Sequence, residues 1–91
     1  MVDKIKISLR LTHDRLDGEI TDLITACKAD LRTAGVIRIE DSDPLILLAV
    51  TLFCKWTYNH NGQGEKHLMA YESLKTPLRL AGDLFGGDDN V

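Results

Sequence analysis

The clearest apolar pattern in the chain is one stripe of Leu16, Ile20, Leu23, Ile24, Cys27, Leu31 and Ala34. Its spacing places these side chains on a single face of an α-helix. The stripe predicts a helix over about residues 14–34. Thr12 or Asp14 can cap its start by accepting a bond from a free backbone N–H. Asp14, Asp17 and Glu19 crowd the positive end of the helix dipole, and Lys28 and Arg32 lie towards the negative end. Gly35 stands where a left-handed residue commonly ends a helix. Gly18, early in the helix, costs about 1 kcal/mol relative to alanine.

Asp43-Pro44 predicts the next start, because aspartate suits the cap and proline suits a first turn that needs no N–H. That helix runs to about Tyr58. From Leu45 to Cys54 it is apolar nearly all round, and such a helix needs neighbours on more than one side. The connector before it, residues 36–42, carries Val36, Ile37 and Ile39, so parts of it should pack inward. Asn59 to Gly64 reads as a loop rich in turn formers. A last helix begins near Glu65, with Leu68, Tyr71, Leu74, Leu78 and Ala81 as its stripe. Pro77 should kink it, or restart it with Thr76 as a new cap.

Two domain segments follow from this pattern: a helical domain over residues 1–82 and a flexible, acidic, glycine-containing tail over 83–91. Leu84 and Phe85 form an apolar pair within that tail, suited to ordering on a partner. The first segment is ambiguous. Ile5, Ile7, Leu9 and Leu11 alternate with polar residues, which by itself favours a strand. Val2, Ile5 and Leu9 also fit a helical face, with Lys6 and Arg10 on the far side.

Composition narrows the class. A chain of 91 residues makes one domain, and 44% hydrophobic with 27% charged residues is the balance of a folded protein. The net charge is −3, from 14 acidic against 11 basic side chains. A nucleic-acid binder usually carries a basic surplus, and here Lys4, Lys6, Arg10, Lys28, Arg32, Lys66, Lys75 and Arg79 are scattered among acids. Cys27 and Cys54 do not make a disulfide scaffold, and no apolar leader segment is evident, which together predict an intracellular chain with reduced thiols. The longest apolar stretch is too short to span a bilayer, so a soluble chain is expected.

No constellation for chemistry emerges. Cys27, Cys54, His13, His60 and His67 lack the paired spacings that set two metal ligands on one turn. Both cysteines fall on apolar faces, where a thiol packs as a small hydrophobe and is not a reactive thiolate. His60 and His67 flank the loop and are expected to face solvent. Asp14, Asp17 and Glu19 beside His13 resemble a carboxylate site, but a helix start decorated with acids explains the same positions. Gly62 and Gly64 do not form a phosphate loop, since no G-K-[ST] follows. No catalytic residue, metal site or cofactor is therefore assigned, and an enzyme is not expected. Trp56 and Tyr58, aromatic residues at a helix end, are candidates for core edges or an interface anchor.

The order of these features resembles the head–tail connector family of tailed phages, small proteins also described as head-completion or DNA-packaging adaptors. The resemblance covers roughly residues 2–81. It is carried by Val2-Asp-Lys-Ile-Lys-Ile-Ser-Leu-Arg-Leu-Thr12, Leu16-Asp-Gly-Glu-Ile-Thr-Asp-Leu-Ile24 and Ala29-Asp-Leu-Arg-Thr-Ala-Gly-Val36. Asp43-Pro-Leu-Ile46, Ala49-Val50, Cys54-Lys55 and Tyr71-Glu72 continue it. Pro77 and the acidic tail depart from the family pattern.

The resemblance implies an all-α bundle of about four helices: a short N-terminal helix, two long central antiparallel helices and a kinked C-terminal one. It also implies a structural subunit in the virion neck, made in the cytoplasm of a bacterial host. Such subunits form a homo-oligomeric ring, dodecameric on the portal protein, that receives a tail-proximal adaptor or stopper after DNA packaging. DNA only passes through the lumen, and no membrane is involved. The candidate subunit or partner interface comprises Leu48, Leu52, Trp56, Leu84 and Phe85. The alternative function is a small helical nucleic-acid-binding module for packaging or regulation. It would need clustered basic or amide side chains on a recognition helix, which the apolar third helix does not offer.

Overall fold

The computed structural model describes the backbone of residues 1–85 and the side chains of residues 1–80. The fold is all-α. Its helices are α1 (Val2–Leu9), α2 (Asp17–Thr33), α3 (Pro44–Thr57) and α4 (Gly64–Phe85), with a 3-10 turn at His60–Gly62. The body measures 47 × 24 × 18 Å, so it is roughly two helix diameters thick. α3 is the hub and touches α1, α2, α4 and the 3-10 turn.

The N-terminal segment is helical, against the strand its alternation favours. Ile5 and Leu9 are buried in the core, and Ile7 is 76% exposed. Packing on α2 and α3 rewards the Val2–Ile5–Leu9 face, and a lone strand would have no partner to satisfy its backbone. Arg10 ends α1 in the left-handed region at φ 60°, and the Leu11 N–H returns to the Lys6 carbonyl at 2.9 Å.

α2 begins later than the stripe predicts. Neither Thr12 nor Asp14 caps it; the N-cap position is Leu16, with no side-chain bond. Asp14 is engaged elsewhere, by Lys6 of α1 at 2.6 Å, and Asp17 approaches the same ammonium at 3.0 Å. The acids at this helix start therefore tie α1 to α2 as well as facing the dipole. The other end behaves as expected. Gly35 adopts φ +97°, its N–H bonds the Arg32 carbonyl, and the Val36 N–H reaches the Leu31 carbonyl, each at 3.0 Å. Val36 and Leu31 are both buried, so the turn is closed by an apolar contact. Within the connector Val36 and Ile39 pack inward and Ile37 points out.

α3 starts at its predicted cap: Asp43 Oδ1 accepts from the Leu45 N–H at 2.9 Å, with Pro44 at the first helical position. α4 adds to the expected pattern. It is the longest helix, at 22 residues against 17 for α2 and 14 for α3, so the long elements are not only the central pair. Of the two readings at Pro77, a kink or a restart at Thr76, the restart does not occur: one helix continues through the proline. Pro77 lies on an exposed side, where solvent can satisfy the carbonyl deprived of its N–H partner. The helix takes in residues 83–85, and the remainder of the predicted tail, 86–91, lies outside the described residues.

The core gathers Ile5, Leu9, Ile20, Ile24, Cys27, Leu31, Val36, Ile46, Ala49, Val50, Cys54, Tyr71 and Leu78. Tyr71 is its largest fully buried side chain. Its hydroxyl donates to Asp30 Oδ2 of α2 at 2.6 Å, and its ring meets Phe53 of α3 edge-on at 5.4 Å. Lys75 completes the cluster, 2.9 Å from Asp30 Oδ2 and 5.1 Å above the Tyr71 ring.

Tyr71→Phe should therefore lower stability by about 1–2 kcal/mol, the worth of a bond to a charged acceptor that keeps a second partner in Lys75; urea unfolding measures it. Gly18 has nothing within 4 Å of a built Cβ and an ordinary backbone. Gly18→Ala should accordingly raise stability by about 0.5–1 kcal/mol in the same assay.

Candidate subunit interface

The near-continuous apolar run of α3 divides into two faces. Ile46, Ala49, Val50 and Cys54 point into the core. Leu45, Leu48, Leu52 and Trp56 recur at helical spacing on the opposite side. Leu45 is 42%, Leu48 45% and Trp56 38% exposed. Leu52 is half-buried and packs against the core edge. The ridge spans about 16 Å of helix.

Trp56 is not loose on this ridge. Its ring meets Phe53 edge-on at 5.5 Å, and Phe53 in turn abuts Tyr71. The outward aromatic is thus braced through a ring that reaches the core, which lowers the entropy lost when a partner covers it. Of the interface residues proposed from the sequence, Leu48, Leu52 and Trp56 share this ridge. The side chains of Leu84 and Phe85 lie outside the described ones. Leu45 belongs to the ridge as well; the sequence marks it only as the start of a run that is apolar nearly all round. Ile7, Ile37, Met69 and Leu80 are further exposed apolar side chains, visible only once the helices are packed.

The titratable groups are arranged for packing. Cys27 and Cys54 are free and fully buried. Burial pushes the Cys27 thiol up to about 11 and the Cys54 thiol up to about 12. Cys27 Sγ lies 3.7 Å from the Tyr71 hydroxyl, a weak contact inside the core. The Tyr71 hydrogen bond, helped by Lys75, holds Asp30 below the usual carboxylate range. Burial and then the Asp30 bond push the Tyr71 hydroxyl far up.

The loop from Asn59 to Gly64 is firmly built. Asn59, Asn61 and Gly62 are left-handed, and the Gly64 N–H donates to Asn59 Oδ1 at 2.8 Å. A side chain at Gly64 would collide with that amide, at 2.7 Å. His60 and His67 are brought together with ring centres 6.2 Å apart, and both are half-buried where solvent exposure was expected. Burial first, then the charges of Lys55, His67 and Arg10, lower the His60 pKa. Among the described residues no three His, Cys, Asp or Glu side chains converge as metal ligands, and no helix is long and apolar enough to cross a membrane.

A partly open cavity of about 170 Å³ lies beside this loop, lined by Leu9, Leu11, Leu16, Tyr58 and His60. The Tyr58 hydroxyl is buried, with Glu19 nearby. Burial, and next the charge of nearby Glu19, raise its pKa.

Comparison with family models, curated proteins and solved structures found no match to this chain.

Both thiols should resist aromatic disulfide reagents in the native state and react at the rate of global or local opening. The sign of the pH effect follows from the raised native pKa values. The neutral thiols contribute stability below the ordinary thiol value of 9.0, and it is lost as pH rises through about 11 and 12. Melting temperature should fall across that alkaline range, and Cys54→Ala should flatten part of the fall. Rapid stoichiometric labelling at neutral pH without denaturant would contradict the burial.

Proposed function

We propose that this chain is a structural subunit that self-associates, acting as a ring-forming head–tail connector in the neck of a tailed phage. The observation that carries the reading is the ridge of Leu45, Leu48, Leu52 and Trp56 on the outer side of α3. Scattered apolar side chains are ordinary on a protein surface. A contiguous row with a braced tryptophan is the composition of an interface core. α3 is also the hub of the bundle, so a partner docking on it bears on every other helix.

The sequence resemblance supplies the biological setting. A closed set of identical head-to-tail contacts gives a ring. The portal would set its copy number, and a tail-side adaptor or stopper would dock on the far face. A net charge of −3 suits a ring whose lumen DNA passes without adhering. The buried thiols, and the carboxylates engaged by lysines, support a scaffold role over a catalytic one.

Sedimentation and light scattering over a wide concentration range test the proposal. The wild-type chain should form a discrete large oligomer, alone or on added portal assemblies. Leu48→Asp should abolish it and cost little stability, since Leu48 already meets solvent. A wild-type chain that stays monomeric at high concentration and ignores portal assemblies would sink the reading. A salt-dependent mobility shift with duplex DNA would replace it with a nucleic-acid module.

A further inference from the structure

We propose that His60 and His67 together ligate one divalent transition-metal ion (zinc, nickel or copper) whose remaining positions are filled by water. The inference is independent of how the chain self-associates and uses none of the residues of the α3 ridge.

Reach is the first argument. The two ring centres are 6.2 Å apart, with the ring planes at 53° to each other. A zinc ion lies about 2.0–2.1 Å from an imidazole nitrogen, hence roughly 3.2 Å from the ring centre. Two rings on one ion therefore have centres at most roughly 6.4 Å apart. The pair stands within that limit before any metal is added. Reaching the roughly 5.2 Å of a tetrahedral angle takes a closure of about 1 Å, which side-chain torsions supply without moving the backbone. Sequence spacing hides the pair, because one histidine is in the 3-10 turn and the other in α4.

The second argument is that the loop holds the two ligands in place beforehand. The Gln63 N–H donates to the His60 carbonyl, and the His67 N–H donates to the Gln63 carbonyl, each at 3.1 Å. The two backbones are thus tied through a single residue. Asn59 Oδ1 braces the same loop by accepting from the Gly64 N–H at 2.8 Å. A ligand pair on a fixed loop loses little freedom when it closes on an ion. Among the described residues no side-chain hydrogen bond or ion pair engages either imidazole, so a nitrogen of each is open to an incoming ion.

The surroundings select the class of metal. Among the described residues no carboxylate or thiol joins the pair as a third ligand. Asp14 and Asp17, on either side of Leu16 at this end of the bundle, are engaged by Lys6, and Glu19 lies by Tyr58. Calcium and magnesium need oxygen ligands and gain nothing here. Copper, nickel and zinc bond imidazole directly. Lys55 and Arg10 near His60 oppose any cation, so the affinity rests on the two nitrogen bonds.

The test titrates zinc, nickel and copper chlorides by calorimetry into the untagged, chelator-treated full chain. One ion per chain should bind, copper most tightly, and magnesium chloride should give no heat. Saturating zinc should raise the melting temperature, and chelator should reverse the rise. His60→Gln or His67→Gln should weaken binding by at least about tenfold, since losing a ligand costs no less than losing its outer support. His13→Gln should bind like wild type. Melting curves without metal check that each variant folds. Copper electron paramagnetic resonance on the wild-type chain reads the ligands without any substitution and should show two imidazole nitrogens. No binding, binding unchanged in His60→Gln, binding lost in His13→Gln, or a single coordinated nitrogen overturns the proposal. One ion per two chains also overturns it, because the ligands would then come from different copies.

Discussion

The Tyr71 side chain is the contact on which the rest of the bundle depends. Its ring belongs to α4, its hydroxyl bonds Asp30 on α2, and its edge meets Phe53 on α3. A phenol buried this deeply needs an acceptor, and Asp30 provides one from the rim of the core. The carboxylate remains partly wet and is also held by Lys75, so the bond satisfies the hydroxyl without stranding a charge in apolar surroundings. One side chain thus fixes three helices in rotation as well as in distance. Apolar packing alone leaves rotation about a helix axis poorly determined, because leucine and isoleucine faces slide with little penalty.

Fixing that rotation decides which face of α3 is left outside. In the sequence, residues 45–54 read as apolar on every side, and nothing in that run says which residues face the core. Once Phe53 is turned towards Tyr71, Ile46, Val50 and Cys54 must point inward, and Leu45, Leu48, Leu52 and Trp56 must point out. A body about two helices thick has no further layer to cover them. The surplus apolar surface was therefore legible from composition, since such a helix needs more neighbours than a small bundle holds. Its location was legible only in part. Leu48, Leu52 and Trp56 could be named, but the role of Leu45 depends on how α3 is rotated.

Local chemistry was most legible where one residue does one job. Asp43-Pro44 starts α3 and Gly35 ends α2, because a cap needs only a side-chain oxygen or a left-handed backbone at that point. The reading failed where a residue had a competing partner in space. Asp14 is a good cap by type, but Lys6 takes its carboxylate, and Lys6 is brought near only when α1 packs as a helix. The alternation of Ile5, Ile7, Leu9 and Leu11 is a true period-two pattern that tertiary contact overrides, leaving Ile7 in solvent. Pro77 costs one hydrogen bond on an exposed side, a loss that the packing of Tyr71 and Leu78 on either side outweighs. The resemblance to connector proteins had already pointed to helix for the first segment, an inference the alternation could not supply.

The two apolar features differ in what they require of a partner. The α3 ridge is continuous with the core through Phe53 and made of apolar side chains, so it suits a broad apolar face. The Leu9–Tyr58 cavity is concave and small, with room for a side chain and not for a face. It is bounded by a loop whose Asn59, Asn61 and Gly62 are all left-handed and whose Gly64 admits no side chain. Such a loop keeps its shape before anything binds, which spares an occupant the entropy of ordering it.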